Sequence, residues 1–252
     1  MSLQDYKNEL ALAKMAAMHA GNILLNDKIN INKVLSSSKK DIKLQADLSA
    51  EKAIKDIIES KSHYPILAEE SGLSSESIPN IFWVVDPLDG TANYSRDIPL
   101  CCVSIALISN FQPVLGVIYD FNNNDLYEGS VETRALCNNQ EISVSKVNNF
   151  YDGVLLTGLP NNTDYSDSSL LKMVKDFQNW KKVRMIGSAA MAAVYVASGK
   201  ADLYSEKKTY LWDIAAGAAI VNAAGGDALI LNQNENFQVD VYFSNSHLKI
   251  QP

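Results

Sequence analysis

An apolar run, Ile81-Phe82-Trp83-Val84-Val85, passes directly into Asp86-Pro87-Leu88-Asp89-Gly90-Thr91. The run reads as a buried strand. Two carboxylates, Asp86 and Asp89, stand at its end. Like charges held so close repel unless something positive lies between them. A fold that accepts this strand must bring its end to a place where a cation can be shared.

The hexapeptide supplies more than charge. Pro87 fixes φ beside Asp86. Gly90 permits a close backbone approach and lets the amides of Gly90 and Thr91 face an anion. The carbonyl of Leu88 is a further hard oxygen. These are parts for holding two cations and a phosphate together. Taken alone, two aspartates so spaced after a strand also fit a plain turn, the first capping and the second solvated.

The flanking sequence predicts helices first and strands after. Residues 3–26 form an amphipathic pattern through Leu3, Leu10, Ala13, Ala17, Ala20, Ile23 and Leu24. Ser36 to Lys40 reads as a polar loop. A second helix is predicted over 48–60, with Leu48, Ile54, Ile57 and Ile58 buried and Asp47 at its start. Strands are predicted at 65–68, 81–85, 103–108, 114–119 and 125–128, with a turn over 121–124. Beyond a boundary near residue 145 the pattern alternates. Strands are predicted at 153–158, 183–186 and 201–204. Helices are predicted at 168–179, 189–197, closed by Gly199, and 214–224, opened by Asp213 as a helix cap and stopped by Gly225-Gly226. The expected division is 1–145 and 146–252. Two helices followed by a strand series, then alternation, give a mixed α/β (α+β) class.

The chain has 252 residues, 47% of them hydrophobic, enough for one large domain or two small ones. A net charge of −7 argues against a nucleic-acid-binding surface but leaves room for small phosphorylated ligands held through a metal ion. Cys101, Cys102 and Cys137 are odd in number and form no CxxC pair, so they are expected as reduced thiols in a cytoplasmic protein. The N-terminus has no basic region before an apolar core, and no apolar stretch reaches spanning length, so neither a signal peptide nor a membrane span is expected.

Further acidic groups lie near the ends of predicted elements: Glu69-Glu70, Asp47 and Asp213. The histidines, His19, His63 and His247, have no ligand spacing, which disfavours zinc. An all-oxygen site suits Mg²⁺, Mn²⁺ or Ca²⁺.

The fragment WVVDPLDGTANY resembles the signature of the inositol monophosphatase family. AEES at 68–71 is similar to its Glu-Glu motif, Gly187-Ser188-Ala189-Ala190 to its Gly-Ser/Thr-Ala-Ala segment, and Leu211 to Gly217, followed by Ala224-Gly225-Gly226, to its C-terminal Trp-Asp motif. The resemblance implies a layered α-β-α-β-α sandwich shared with fructose-1,6-bisphosphatase. It implies hydrolysis of a small phosphate monoester, such as inositol monophosphate or a related polyol or sugar phosphate. It implies two or three Mg²⁺ ions, with Mn²⁺ as a substitute. Glu69, Asp86 and the Leu88 carbonyl would hold the first, and Asp86, Asp89 and Asp213 the second. A weaker third ion would sit near Glu69, and Glu70 would be an outer group or simply solvated. Thr91, hydrogen-bonded to Asp47, would orient and help deprotonate the attacking water, completing a catalytic set with Glu69. The amides of Gly90 and Thr91 would hold phosphate oxygens. Asp89, Glu206 and the Ala189 backbone would contact the substrate. Homodimerisation and Li⁺ inhibition are implied as well. The first 145 residues would carry most metal ligands, and the remainder would complete the site.

The sequence departs from the family pattern at KKDIKLQAD, at Ala92, at Tyr210 and over 128–139. A 3′(2′),5′-bisphosphate nucleotidase, a fructose-1,6-bisphosphatase, a binding protein that keeps the fold, and a structural Ca²⁺ site are the alternatives.

Overall fold

The computed structural model of the chain describes residues 6–37, 42–159 and 164–250. The helices are α1 (Lys7–Asn26), α2 (Lys28–Ile31), α3 (Gln45–Glu59), α4 (Thr91–Ser95), α5 (Asp167–Phe177), α6 (Ala189–Ala197) and α7 (Leu211–Ala223). A hairpin pairs β1 (Val34–Ser37) with β2 (Ile42–Leu44). The strands β3 (Ile66–Ala68), β4 (Gly72–Leu73), β5 (Ile81–Asp89), β6 (Cys102–Ser109), β7 (Gln112–Asp120), β8 (Asp125–Ser130), β9 (Thr133–Cys137) and β10 (Gln140–Glu141) form one sheet, ordered β10-β9-β8-β7-β6-β5-β3-β4. It is antiparallel except where β3 meets β5. A second sheet contains β11 (Val154–Thr157), β12 (Lys182–Arg184), β13 (Leu203–Tyr210), β14 (Asp227–Leu231) and β15 (Gln238–Ser244), ordered β12-β11-β13-β15-β14.

The layering follows from which faces are apolar. Side chains alternate across a strand. In β5, Trp83 and Val85 face α1 and α3, while Phe82 and Val84 face α6 and α7. With both faces covered, the strand reads as a continuous apolar run. Helix α7 is apolar all round because it lies between the two sheets. On the far side of the second sheet, Phe177 at the end of α5 packs with Leu155 and Leu203. The order is therefore α-β-α-β-α. Among the described residues no helix is long and apolar enough to cross a membrane.

Three expectations change. Ser36 and Ser37 close β1 instead of belonging to a loop; Ser38, Lys39, Lys40 and Asp41 lie outside the described residues, as does Leu3. Leu48 is exposed. The buried stripe of α3 is Asp47, Ala50, Glu51, Ile54 and Ile58, a helical repeat in which two carboxylates hold core-facing places and Leu48 falls off the face. Asp213 is the third residue of α7 and not its cap: the capping position is Tyr210, whose N–H donates to the Asp213 carboxylate at 2.9 Å.

Candidate active site

The site forms where β5 ends. β5 and β6 lose register between Asp86 and Asp89: Asp86 pairs with Ser104 and Asp89 with Cys102. One extra residue on β5 is a bulge, and Pro87, which has no N–H to give a ladder, lies within it. In a regular strand Asp86 and Asp89 would point to opposite faces. The bulge turns both toward one cavity. The Leu88 N–H donates to Asp86 Oδ1 at 2.9 Å, which holds the turn. Gly90 follows in the left-handed region at φ +88, and a Cβ there would come within 2.7 Å of the Leu100 carbonyl, so the chain can turn into α4 only with glycine.

A cavity of about 270 Å³ opens at this point. Glu69 at the end of β3, Asp86, Leu88, Asp89, Gly90 and Thr91 line it from the first sheet; Ala189, Glu206 and Asp213 line it from the opposite side. Asp47 stands behind them. Its Oδ1 accepts the Thr91 hydroxyl at 3.1 Å and its Oδ2 accepts the Leu44 N–H at 2.6 Å. Thr91 also reaches the Leu88 carbonyl at 3.1 Å. Glu70 does not line the cavity; it is ion-paired with Lys43.

The site also uses residues to which the sequence reading gave no role. Ser188 caps α6, accepting the Met191 N–H, and donates its hydroxyl to Asp89 Oδ2. The Ala190 N–H reaches the same oxygen at 2.8 Å, and the Ala189 N–H reaches Oδ1 at 3.3 Å. The backbone of Ala189 therefore serves Asp89 here. Thr209 donates to Asp213 Oδ2 at 2.6 Å, and Tyr204 to Glu206 Oε2 at 2.9 Å. The Asn93 amide ties this half to the other, donating to the carbonyls of Leu100 at 2.7 Å and Ile186 at 2.8 Å. Ser188 was findable from sequence, since a serine before an apolar helix is a capping signal. Trp83 is a core residue whose indole N–H reaches Ser62, and Trp212 stacks on Tyr210.

Charge crowding dominates the electrostatics. Burial, then the charges of Glu69 and Asp89, push Asp86 well above the usual carboxylate range. Glu69 opens onto the cavity yet is crowded by protein; desolvation first and the Asp213 charge second raise it. Asp213 is pushed to about 7 by burial and then by Asp89. Asp89 is raised by burial, against which its hydroxyl and amide donors act. Burial also lifts Asp47 to about 6 and Glu206 to about 7.

Among the described residues, no Lys, Arg or His lines the cavity. Among the described residues no three His, Cys, Asp or Glu groups close into a ready-made metal cage; the carboxylates stand around the cavity instead. Hard oxygens carrying surplus negative charge, with no side-chain cation among the described residues facing them, fit a divalent metal ion.

The sequence model of the inositol monophosphatase family matches residues 5–248. The chain belongs to the inositol monophosphatase family. It is 38% identical over 215 residues to a Xylella fastidiosa protein named Nus factor SuhB, covering 84% of this chain and 78% of that one. It is 35% identical over 215 residues to an inositol-1-monophosphatase of Mesorhizobium japonicum, covering 84% and 81%. The solved inositol monophosphatase of Anabaena superposes with a TM-score of 0.83 at 29% identity, covering 97% of this chain and 93% of that one. Membership supports a phosphatase acting on small phosphorylated compounds, in a family that uses divalent metal ions.

Proposed function

We propose that this chain hydrolyses a small polyol or sugar phosphate monoester, inositol monophosphate foremost, with Mg²⁺ as the working ion and Mn²⁺ as a substitute. The observation that carries this reading is the convergence of Glu69, Asp86, Asp89 and Asp213 on one cavity that, among the described residues, no side-chain cation lines. In this reading Glu69, Asp86 and the Leu88 carbonyl hold one ion and Asp86, Asp89 and Asp213 another. Bound divalent cations lower the pKa of an attacking water and offset charge on the leaving oxygen.

The chain's own groups do the rest. Thr91, fixed by Asp47 and the Leu88 carbonyl, orients the water and passes its proton toward Asp47. The amides of Gly90 and Thr91 face the non-bridging phosphate oxygens. Asp89 and Glu206 accept substrate hydroxyls, with Ala189 at the cavity wall. The division near residue 145 belongs to this reading: the first part brings most ligands, the second Asp213 and Glu206. So do a homodimer, Li⁺ sensitivity and a cytoplasmic setting, the last in keeping with three free thiols.

The test is phosphate release from inositol monophosphates, 3′-phosphoadenosine 5′-phosphate and fructose 1,6-bisphosphate, each with Mg²⁺, with EDTA, and with Mg²⁺ plus Li⁺. Turnover of an inositol monophosphate that EDTA removes and Li⁺ reduces is the expected result. Turnover confined to a bisphosphate would move the assignment to another branch, and turnover unaffected by EDTA would end it.

Glu206 has its own test. A Cβ on Gly158 would overlap the Glu206 carboxylate. Gly158→Ala displaces that carboxylate without touching Asp86 or Asp89. We expect kcat/KM for a polyol phosphate to fall about 10- to 100-fold, ~1.4–2.8 kcal/mol, mostly through KM. An unchanged KM would remove Glu206 from substrate binding.

The name of the Xylella relative, Nus factor SuhB, favours a second reading in which the fold also binds a macromolecular partner. Asp89→Ala separates the two, since it should stop turnover and leave partner capture intact.

A further inference from the structure

Lys43 lies in the segment where the sequence departs from the family pattern, on β2, one residue before Leu44, the capping residue of α3. Its ammonium forms an ion pair with Glu70. Glu70 is the neighbour of Glu69, and its side chain is only 10% exposed. The Glu70 backbone N–H donates to Glu51 Oε2 at 2.9 Å. Glu51 lies one turn along α3 from Asp47, on the same buried stripe. Three carboxylates, Asp47, Glu51 and Glu70, thus flank the acidic cavity from behind. Lys43 answers all three: the hydrogen bond to Glu70 and the charges of Glu70, Glu51 and Asp47 hold its ammonium above the usual lysine range.

We propose that Lys43 is a built-in counter-ion that takes up the Glu70 carboxylate, so that Glu70 does not ligate metal and the metal ions of the site are confined to the Glu69, Asp86, Asp89 and Asp213 side. The inference rests on the metal reading given above. A lysine carried on the same chain acts at an effective concentration of about millimolar or more, and it never has to be collected from solution. A divalent ion approaching Glu70 must displace that ammonium or sit beside it, and like charges at contact distance repel. Neutralising Glu70 also removes one of the charges that crowd Glu69 and Asp47.

Mn²⁺ bound per chain, counted by equilibrium dialysis and by the electron paramagnetic resonance of free Mn²⁺, tests this without recourse to activity. Wild type, Glu70→Gln and Lys43→Arg should bind the same number of ions. Lys43→Met should bind one more, and Lys43→Met combined with Glu70→Gln should return to the wild-type number. A lower count in Glu70→Gln would show that Glu70 is a ligand despite Lys43 and overturn the proposal. So would an unchanged count in Lys43→Met. No Mn²⁺ on any of the proteins, wild type included, would remove the metal reading and this proposal with it, a result distinct from either failure above.

Discussion

Asp86→Asn should abolish phosphate release, by about 10³-fold or more (~4 kcal/mol in the barrier), and at the same time raise the melting temperature of the chelated protein. Asp86 is the group both metal positions share in the proposed arrangement, so its loss weakens both at once. In the chelated protein the same carboxylate is a burden. It is 1% exposed and faces the charges of Glu69, Asp89 and Asp213. Asparagine keeps the oxygen that accepts the Leu88 N–H, so the bulge survives while the repulsion goes. A gain of about 1 kcal/mol corresponds to some 2–4 °C in a protein of this size. Wild type should gain stability from Mg²⁺ and the variant should not. Calorimetry with EDTA and with Mg²⁺ reads all of this. A variant that loses activity and also melts lower in EDTA would mean that Asp86 is structural.

The pH dependence of the chelated protein follows from the same crowding. In the unfolded chain these carboxyls ionise near pH 4. In the folded chain Asp47 waits until about 6 and Asp213 until about 7. Between those values the folded state binds more protons, so the contribution of these two groups to stability is full below about pH 4 and is lost as pH rises toward about 7. Saturating Mg²⁺ should reverse the slope, because the ion binds the deprotonated groups.

The aspartates of DPLDGT were legible because charge at the end of an apolar strand has few explanations. The bulge that aims them was not, since register is a property of two strands and β6 lies 13 residues on from Asp89 at Cys102. The Asp47–Thr91 hydrogen bond spans 44 residues; no local pattern specifies it, and it was foreseen only through the family resemblance. Leu48 was misplaced because hydrophobicity alone cannot tell that Asp47 and Glu51 own the buried stripe of α3. The short strands β1, β2, β4, β9 and β10 went unassigned, and so did β14 and β15, although the alternation in Gln238–Ser244 is a period-two signal. Lys43 looked only like a misfit. Its partner is at position 70, and only the folded chain brings the two together.

Gly116→Val should cost about 3 kcal/mol, a fall of some 6–12 °C in melting temperature. Gly116 on β7 pairs across the ladder with Gly129 on β8. Together they leave a bare strip of sheet, and α7 lies on it. A Cβ at 116 would overlap the backbone of Ala216, and one at 129 would come within 2.9 Å of the Cα of Ile220. Helix backbone cannot step aside as a flexible side chain does. The other side of α7 meets α6, where a Cβ on Gly217 would overlap that of Ala193, and the second sheet beyond. The added side chain must therefore push α7 and what it carries. Asp213 rides in its first turn, so the displacement also reaches the cavity. Phosphate release should fall even at temperatures where the variant remains folded, and Mg²⁺ should stabilise it less than it does wild type. Gly72→Ala is the matched control: its φ is +72, so it carries backbone strain, but nothing lies within 4 Å of its Cβ. If Gly116→Val melted within 2 °C of wild type, the close seating of α7 on the glycine strip would be wrong, and with it the account of how Asp213 is held across from Asp86.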